Sequence, residues 1–224
     1  MRNLKFHIQY GSYPDVVLLS NHHEKEEYLH DMVDAYLLKD ILTLDGIKNA
    51  GKMRDLLRLI AYQIGSEVSL EELARQLSMS RNTVEKYLDL LSKVYVSVGS
   101  YSRNLRKEIS KAGKWYFYDT GIRNAIIGNF TPLTIRQDSG HLWENYVISE
   151  RLKQNLHHRW GKNFYFWKTY DRQEIDLIEE KDLNIEAFKI KEGDKHPSPP
   201  KAFASAYPEA VYNVINRDTF TQFI

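Results

Sequence analysis

The sequence contains no cysteine. This absence excludes disulfide bonds, thiolate catalysis and cysteine-ligated zinc fingers, and it is typical of proteins in a reducing compartment. No apolar run is long enough to cross a bilayer. The first residues, MRNLKFHIQYG, begin with a basic residue but lack the apolar core of a signal peptide. From these absences we expect a cytoplasmic protein with no membrane partner.

The sequence also has little net charge. The formal value is +1 over 224 residues, which argues neither for nor against nucleic acid, because a local basic patch can be hidden in a balanced total. With 42% hydrophobic and 27% charged residues, the composition is that of an ordinary globular protein. The length allows one large domain or two to three small ones.

The first third of the chain has the pattern of helices. Apolar residues recur at helical spacing in EKEEYLHDMVDAYLLKDILTL and again in GKMRDLLRLIAYQIGS, where Gly65 is a natural helix stop. Neither helix would be stable alone in water, so we expect them to pack on each other or on the next part of the chain.

The stretch SLEELARQLSMSRNTVEKYLDLLSKV predicts two short amphipathic helices joined by a tight turn. Ser69 and Ser80 stand at the N-cap positions, and Glu72 completes a capping box with Ser69. Two helices so joined form a helix-turn-helix. The β-like runs VYVSV and WYFYD come next, and the hairpin between them would be a wing.

From residue 121 onward the pattern is mixed. A helix is predicted over GHLWENYVISERLKQNL, and strands over NFYFWKT, EIDLIEE, NIEAFKI and AVYNVI, with a proline-rich loop, KHPSPPKAF, before the last strand. We therefore predict an α/β (α+β) protein in three parts: a helical lead-in over 1–66, a winged helix-turn-helix over 67–120, and an α/β domain over 121–224.

Several blocks resemble one family: LLRLIAYQIGSEVSLEELARQLSMSRNTVEKYLDLL, YFYDTGIRNAIIGNF, WENYVISERLK and YFWKTYDRQEIDLIEE. They are similar to the C-terminal portion of bacterial and archaeal AAA-type ATPases, over essentially the whole chain. The resemblance implies a winged helix followed by a restriction-endonuclease-like domain of the PD-(D/E)xK type. The ATPase module of that family needs a phosphate-binding G-x-x-x-x-G-K-[ST] loop, which this sequence lacks. We therefore expect no ATP hydrolysis by this chain.

The resemblance also implies a set of nuclease residues. Asp176 and Lys189 would be catalytic, and Glu144 and Asp176 would hold Mg²⁺, which is the expected cofactor only if the nuclease is active. A second strand acid should stand two residues before Lys189, but that residue is Ala187. Glu186 is its neighbour and could act as a metal ligand only through a register slip or a bulge, because adjacent residues of a strand point to opposite faces.

The winged helix offers a DNA-binding hypothesis. Four residues of its second helix would reach base edges in a major groove: Arg81, Asn82, Thr83 and Lys86. Basic residues of the wing segment would contact phosphates: Arg103, Arg106, Lys107, Lys111 and Lys114. The competing interpretation is a protein-interaction module, since the acidic Glu85 and Asp89 lie on the same exposed side of the helix.

Three functions therefore stay open. The preferred one is a non-catalytic region that binds DNA or a partner on behalf of an AAA-type ATPase module, with a degenerate nuclease fold and no cofactor. The first alternative is a Mg²⁺-dependent nuclease that uses Glu144, Asp176 and Lys189. The second alternative is a pure protein-interaction module.

Overall fold

The computed structural model of the chain describes residues 2–37, 49–93, 96–101 and 113–224. Its amino-terminal part is helical, as predicted. The elements are α1 (Arg2–Tyr10), α2 (Pro14–Leu18), α3 (His22–Met32), a π-helical segment (Val33–Leu37) and α4 (Ala50–Tyr62). The Asn49 side chain caps α4 by accepting a hydrogen bond from the Lys52 N–H at 3.0 Å. Gly65 lies after α4 in the left-handed region, at φ +70°, a conformation that favours glycine.

Two short helices come next in the predicted places, α5 (Leu70–Leu77) and α6 (Arg81–Ser92). Ser69 caps α5 and Ser80 caps α6, each by accepting from the backbone N–H three residues on. The second half of the predicted capping box is not seen, because the Glu72 carboxylate accepts from Gln76 instead. Leu73, Leu77 and the inner face of α6 are buried, so the two helices pack as a helix-turn-helix pair.

The strands join into one mixed sheet. They are β1 (Val96–Ser100), β2 (Lys114–Tyr116), β3 (Asn163–Lys168), β4 (Glu174–Lys181), β5 (Asn184–Ile190) and β6 (Val211–Ile215), in the spatial order β2-β1-β3-β4-β5-β6. The β1–β3 and β5–β6 pairs are parallel and the other pairs are antiparallel. The β1–β2 hairpin that we predicted as part of the winged helix is therefore continuous with the sheet of the carboxyl-terminal region.

An irregularity interrupts β4 beside β3. Tyr165 pairs with Ile178 but Trp167 pairs with Ile175, so β4 advances three residues while β3 advances two. The extra residue is a β-bulge next to Asp176, and bulges re-aim the side chains around them.

The remaining helices cover the sheet. They are α7 (Thr120–Ile127), α8 (Ser139–His158), α9 (Lys201–Ala206) and α10 (Phe220–Phe223). Helix α9 begins inside the stretch that we predicted as a proline-rich loop, because Pro200 is its N-cap and a proline is tolerated at a helix start. The α+β class predicted from the sequence is confirmed.

Two apolar cores lie on opposite sides of the sheet. The larger one joins the amino-terminal helices, the helix-turn-helix pair, α7 and α8 to Phe166, Leu177 and Phe188. The smaller one packs Ile178 and Ala187 beneath Phe203 of α9. None of the described helices is long and apolar enough to cross a membrane.

A buried ion cluster fastens the amino-terminal helices to the start of α8. The Arg123 guanidinium donates to the Ala61 carbonyl at 2.9 Å and to Asp138 at 2.6 Å. Arg136 also donates to Asp138, through two nitrogens at 2.7 and 2.8 Å. Burial would raise the pKa of Asp138, but the two guanidinium groups outweigh it and lower that pKa to about 2.

Candidate functional site

A polar cleft of about 270 Å³ opens where the hairpin, α8 and the middle of the sheet meet. Strand β2 contributes Lys114, helix α8 contributes Glu144, and strands β4 and β5 contribute the other charged residues of its centre. Among the lining side chains, Glu67 pairs with Lys168. A central group of five contains the other ion pairs: Lys114, Glu144, Glu174, Asp176 and Lys189. These five are three carboxylates and two ammonium groups.

Asp176 is almost fully buried and both of its oxygens are occupied. Oδ1 accepts from the Lys189 ammonium at 2.6 Å, and Oδ2 accepts from the backbone N–H of Ile190 at 2.7 Å. Bonds of a carboxylate to a charged donor are among the stronger hydrogen bonds. Asp176 is therefore held by β5 through two contacts.

Lys114 forms the second ion-pair group, and 3% of its side chain is exposed. Its ammonium makes a short contact with Glu174 of β4 and lies 3.5 Å from Glu144 of α8. It also lies 5.4 Å from the centre of the Phe166 ring. A single ammonium group thus links the hairpin to both a helix and a strand of the carboxyl-terminal region.

These contacts shift the pKa values of the Lys114–Glu174 pair in opposite directions. Burial alone would lower the pKa of Lys114, but the negative charges of Glu144 and Glu174 outweigh it and raise that pKa. Burial would likewise raise the pKa of Glu174, and the Lys114 ammonium lowers it instead. Both groups are therefore held in their charged forms.

The pKa of Glu144 is shifted in the opposite direction to that of Glu174. Burial raises its pKa to about 7, against the effect of Lys114 and with a further increase from the charge of Asp176. The Tyr116 hydroxyl donates to its Oε1 at 2.7 Å. Near neutral pH, Glu144 is therefore only partly ionised.

The structure brings together three of the four nuclease residues predicted from the sequence, since Glu144, Asp176 and Lys189 line the cleft. It does not bring Glu186 there. The Glu186 carboxylate pairs with Lys162 at 2.5 Å, and its strand neighbour Ala187 is buried in the smaller core. The register slip or bulge that would turn Glu186 into the cleft is not seen, because the pairing of β5 with β4 runs through Glu186 without a shift.

Two residues of this central group were not assigned to the site from the sequence. Glu174 stands two residues before Asp176, and the period of two in a strand was the signal that could have found it. Lys114 was interpreted as a basic residue of the wing that would contact phosphate. The structure buries it in the cleft, because its strand pairs with Val98 of β1 and its ammonium is drawn to two carboxylates.

The donor set does not fit a divalent metal. Among the described residues, no three histidine, cysteine or acidic side chains converge closely enough to hold an ion. Mg²⁺ is bound through carboxylate oxygens, and here Glu174 and Asp176 already face ammonium groups. In the cleft, the ammonium groups of Lys114 and Lys189 pair with the carboxylates of Glu174 and Asp176.

The predicted DNA-contacting residues of α6 lie on an exposed but mixed surface. Asn82 and Lys86 are exposed, while Arg81 is 3.2 Å from the Glu71 carboxylate and the Thr83 hydroxyl is 2.7 Å from that of Ser80. Thr83 is thus part of the helix cap. The wing residues Arg103, Arg106, Lys107 and Lys111 lie outside the described residues.

Comparison with known proteins places the chain among uncharacterised families. Residues 1–133 match the family model Domain of unknown function (DUF8612), and residues 139–222 match Domain of unknown function (DUF4143). No solved structure matches the chain.

Similar curated proteins are all named as uncharacterized. One from Mycobacterium tuberculosis is 26% identical over 81% of this chain and 41% of its own length. One from Haemophilus influenzae is 26% identical over 82% of this chain and 46% of its own length. One from Methanocaldococcus jannaschii is 20% identical over 99% of this chain and 49% of its own length. The chain therefore spans less than half the length of these curated relatives.

Proposed function

The chain belongs to the family defined by the domain of unknown function DUF8612, and we propose that it is a non-catalytic binding region of an AAA-type ATPase-like protein. In this proposal the carboxyl-terminal region is a nuclease-like fold that has lost its metal chemistry. The observation that carries the proposal is the pairing of Asp176 with Lys189 and of Glu174 with Lys114.

A metal-dependent nuclease needs carboxylate oxygens that are free to take a metal ion, which then activates water and neutralises charge on the phosphate. Here the strand acids are engaged by ammonium groups inside the same protein. Ala187 removes a further carboxylate, and its methyl group belongs to an apolar core. These features support a structural role for the cleft: it ties the hairpin, α8 and the sheet together.

The binding surface is proposed to be the helix-turn-helix pair with the wing. On α6 the cations Arg81 and Lys86 are balanced by the anions Glu85 and Asp89, and all four are exposed. The DNA-binding version of the proposal therefore depends on the wing residues. The partner-binding version needs no excess of positive charge, and the partner would be an ATPase module or another protein. The curated relatives extend well beyond the matched region, which leaves room in them for such a module.

A second candidate, the Mg²⁺-dependent nuclease, is favoured by one observation. Glu174 provides a third carboxylate in the cleft beside Glu144 and Asp176. The Glu174 carboxylate would take the place of the acid that is missing at position 187. This requires that Lys114 releases Glu174 and that Lys189 releases Asp176.

A cleavage assay separates the two candidates. The purified chain is incubated with labelled single- and double-stranded DNA in Mg²⁺ or Mn²⁺, beside Asp176→Asn, which keeps an acceptor for the Ile190 N–H. We expect no cutting by either protein. Metal-dependent cutting by the parent that Asp176→Asn abolishes would overturn the non-catalytic proposal.

Fluorescence anisotropy with the same DNA, measured from about 50 to about 300 mM salt, separates DNA binding from partner binding. A DNA-binding wing predicts an affinity that falls steeply with salt, and a smaller slope after Arg106 and Lys107 are both replaced by alanine. No measurable binding at low salt would leave the partner-binding version.

A further inference from the structure

We infer that Lys114 is a built-in substitute for the metal ion: its ammonium group occupies the position between Glu144 and Glu174 that a divalent cation would need. The inference rests on the proposed function and deepens it, because it states why the cleft accepts no metal. On this inference the metal ion is excluded by Lys114 and not by the lack of an acid at position 187.

The position of the ammonium group is the first support. Both Glu144 Oε1 and Glu174 Oε1 lie within 3.5 Å of the same Lys114 nitrogen, so the two oxygens already converge on one point. Two carboxylates and several waters are a common ligand set for Mg²⁺ and Mn²⁺. A cation of the protein itself stands where those oxygens converge.

The backbone fixes that position. Lys114 pairs with Val98 in the hairpin and forms a bridge with Glu67 on its other side. The Trp115 carbonyl next to it accepts from the Gly65 N–H at 3.0 Å. Because the backbone of Lys114 is held by Val98 on one side and by Glu67 on the other, its side chain is directed into the cleft.

The balance of charge gives the third support. Lys114 and Lys189 together carry two positive charges, the charge of one divalent ion. They face the carboxylates of Glu174 and Asp176. The charges of the two strand acids are therefore balanced without a metal, and an added divalent ion would have to displace the ammonium group of a side chain that is 3% exposed.

The test is Mn²⁺ binding by Lys114→Ala, measured by isothermal titration calorimetry and by thermal unfolding. We expect no binding by the parent chain and about one Mn²⁺ per molecule of the variant. At a Mn²⁺ concentration about a hundredfold above its Kd, the Tm of the variant should rise by roughly 5–10 °C. The double variant Lys114→Ala/Glu174→Gln should lose this gain.

Two further variants keep the test decisive. Lys168→Ala opens the same cleft at a lysine that pairs with Glu67, and it should bind no Mn²⁺. Lys114→Met keeps the unbranched shape of the lysine side chain without its charge, and it replaces Lys114→Ala if that variant does not fold. Mn²⁺ binding by the parent chain, no binding by a folded Lys114 variant, or binding that survives Glu174→Gln would each overturn the inference. None of these outcomes by itself involves DNA cleavage, so the proposed function stands or falls separately.

Discussion

The cleft and the exposed face of α6 carry similar numbers of charges and use them differently. In the cleft, Lys114 and Lys189 are largely buried and each faces a carboxylate of β4. On α6 the charges are exposed, and Arg81 and its partner Glu71 keep 61% and 69% of their side chains in solvent. Removing one partner of a buried pair leaves an uncompensated charge and is strongly destabilising, whereas charges left in water cost little to rearrange and remain available to a ligand. The comparison supports a structural role for the first region and leaves the second as the proposed binding surface.

The largest expected effect is the loss of a buried partner. Asp176→Ala leaves the Lys189 ammonium unpaired and the Ile190 N–H without its acceptor. We expect the free energy of unfolding to fall by about 3–5 kcal/mol, as measured by urea denaturation. The matched control is Asp171→Ala, an exposed acid of the turn before β4, which should change it by less than about 0.5 kcal/mol. Equal effects of the two variants would break the comparison.

The second effect is a pH dependence located in the cleft. The pKa of Glu144 is raised to about 7 by burial, above its ordinary value of 4.5, so the unfolded chain loses this proton first as the pH rises. The stability of the parent should therefore fall between about pH 4.5 and pH 7, whereas Glu144→Gln lacks this dependence. The difference in unfolding free energy should move in favour of the variant by up to about 3 kcal/mol between about pH 4 and about pH 8.

Urea denaturation of the parent and Glu144→Gln across this pH range checks the prediction. Glu150→Gln, on the same helix and paired with Lys153, is the matched control for replacing a glutamate of α8 by glutamine. A constant difference between the parent and Glu144→Gln would contradict the burial of that carboxyl.

A smaller effect is expected at the cap of α6. The Ser80 hydroxyl accepts from the Thr83 N–H at 3.2 Å, so Ser80→Ala should cost about 1 kcal/mol of unfolding free energy. Ser92→Ala, at the other end of the helix, removes an exposed hydroxyl that donates to the Asp89 carbonyl and should cost less. Thermal unfolding of both variants orders them, and a larger loss from Ser92→Ala would place the stability of α6 at its carboxyl end.

The smallest effect on stability is expected on the exposed face itself. Arg81→Ala and Lys86→Ala should each change the unfolding free energy by less than about 0.5 kcal/mol, because exposed ion pairs contribute little. If α6 binds DNA through phosphates, each substitution should also lower the slope of log affinity against log salt by about one. A large stability loss would mean that this face is structural, like the cleft.

The two regions differ in how much of their structure could be predicted from the sequence. The helix-turn-helix pair was predicted because its signals are local: the caps at Ser69 and Ser80 and the apolar spacing of each helix. The cleft was predicted in part. Asp176, Glu144 and Lys189 came from the family resemblance, and the period of a strand already separated Glu186 from Ala187.

The unpredicted part of the cleft depends on contacts that are distant in sequence. Lys114 lies 60 residues from Glu174, and its role comes from the parallel pairing of β1 with β3, which no local pattern specifies. The bulge beside Asp176 is likewise a property of the register between β3 and β4. A lysine in a run of basic residues was therefore interpreted as a phosphate contact, when the sheet makes it a buried partner of two acids.

The central claim is that lysines, and not a metal ion, pair with the acids of the cleft. A Mn²⁺ titration of the parent chain tests it most directly, with the electron paramagnetic resonance signal of free Mn²⁺ as the readout. The titration is done at about pH 8, where Glu144 is mostly ionised. If lysines satisfy the acids of the cleft, the signal should equal that of buffer alone up to millimolar Mn²⁺. A loss of free Mn²⁺ equivalent to one site per chain, abolished by Asp176→Asn, would show that the acids of the cleft are free to bind a metal ion and would contradict this claim.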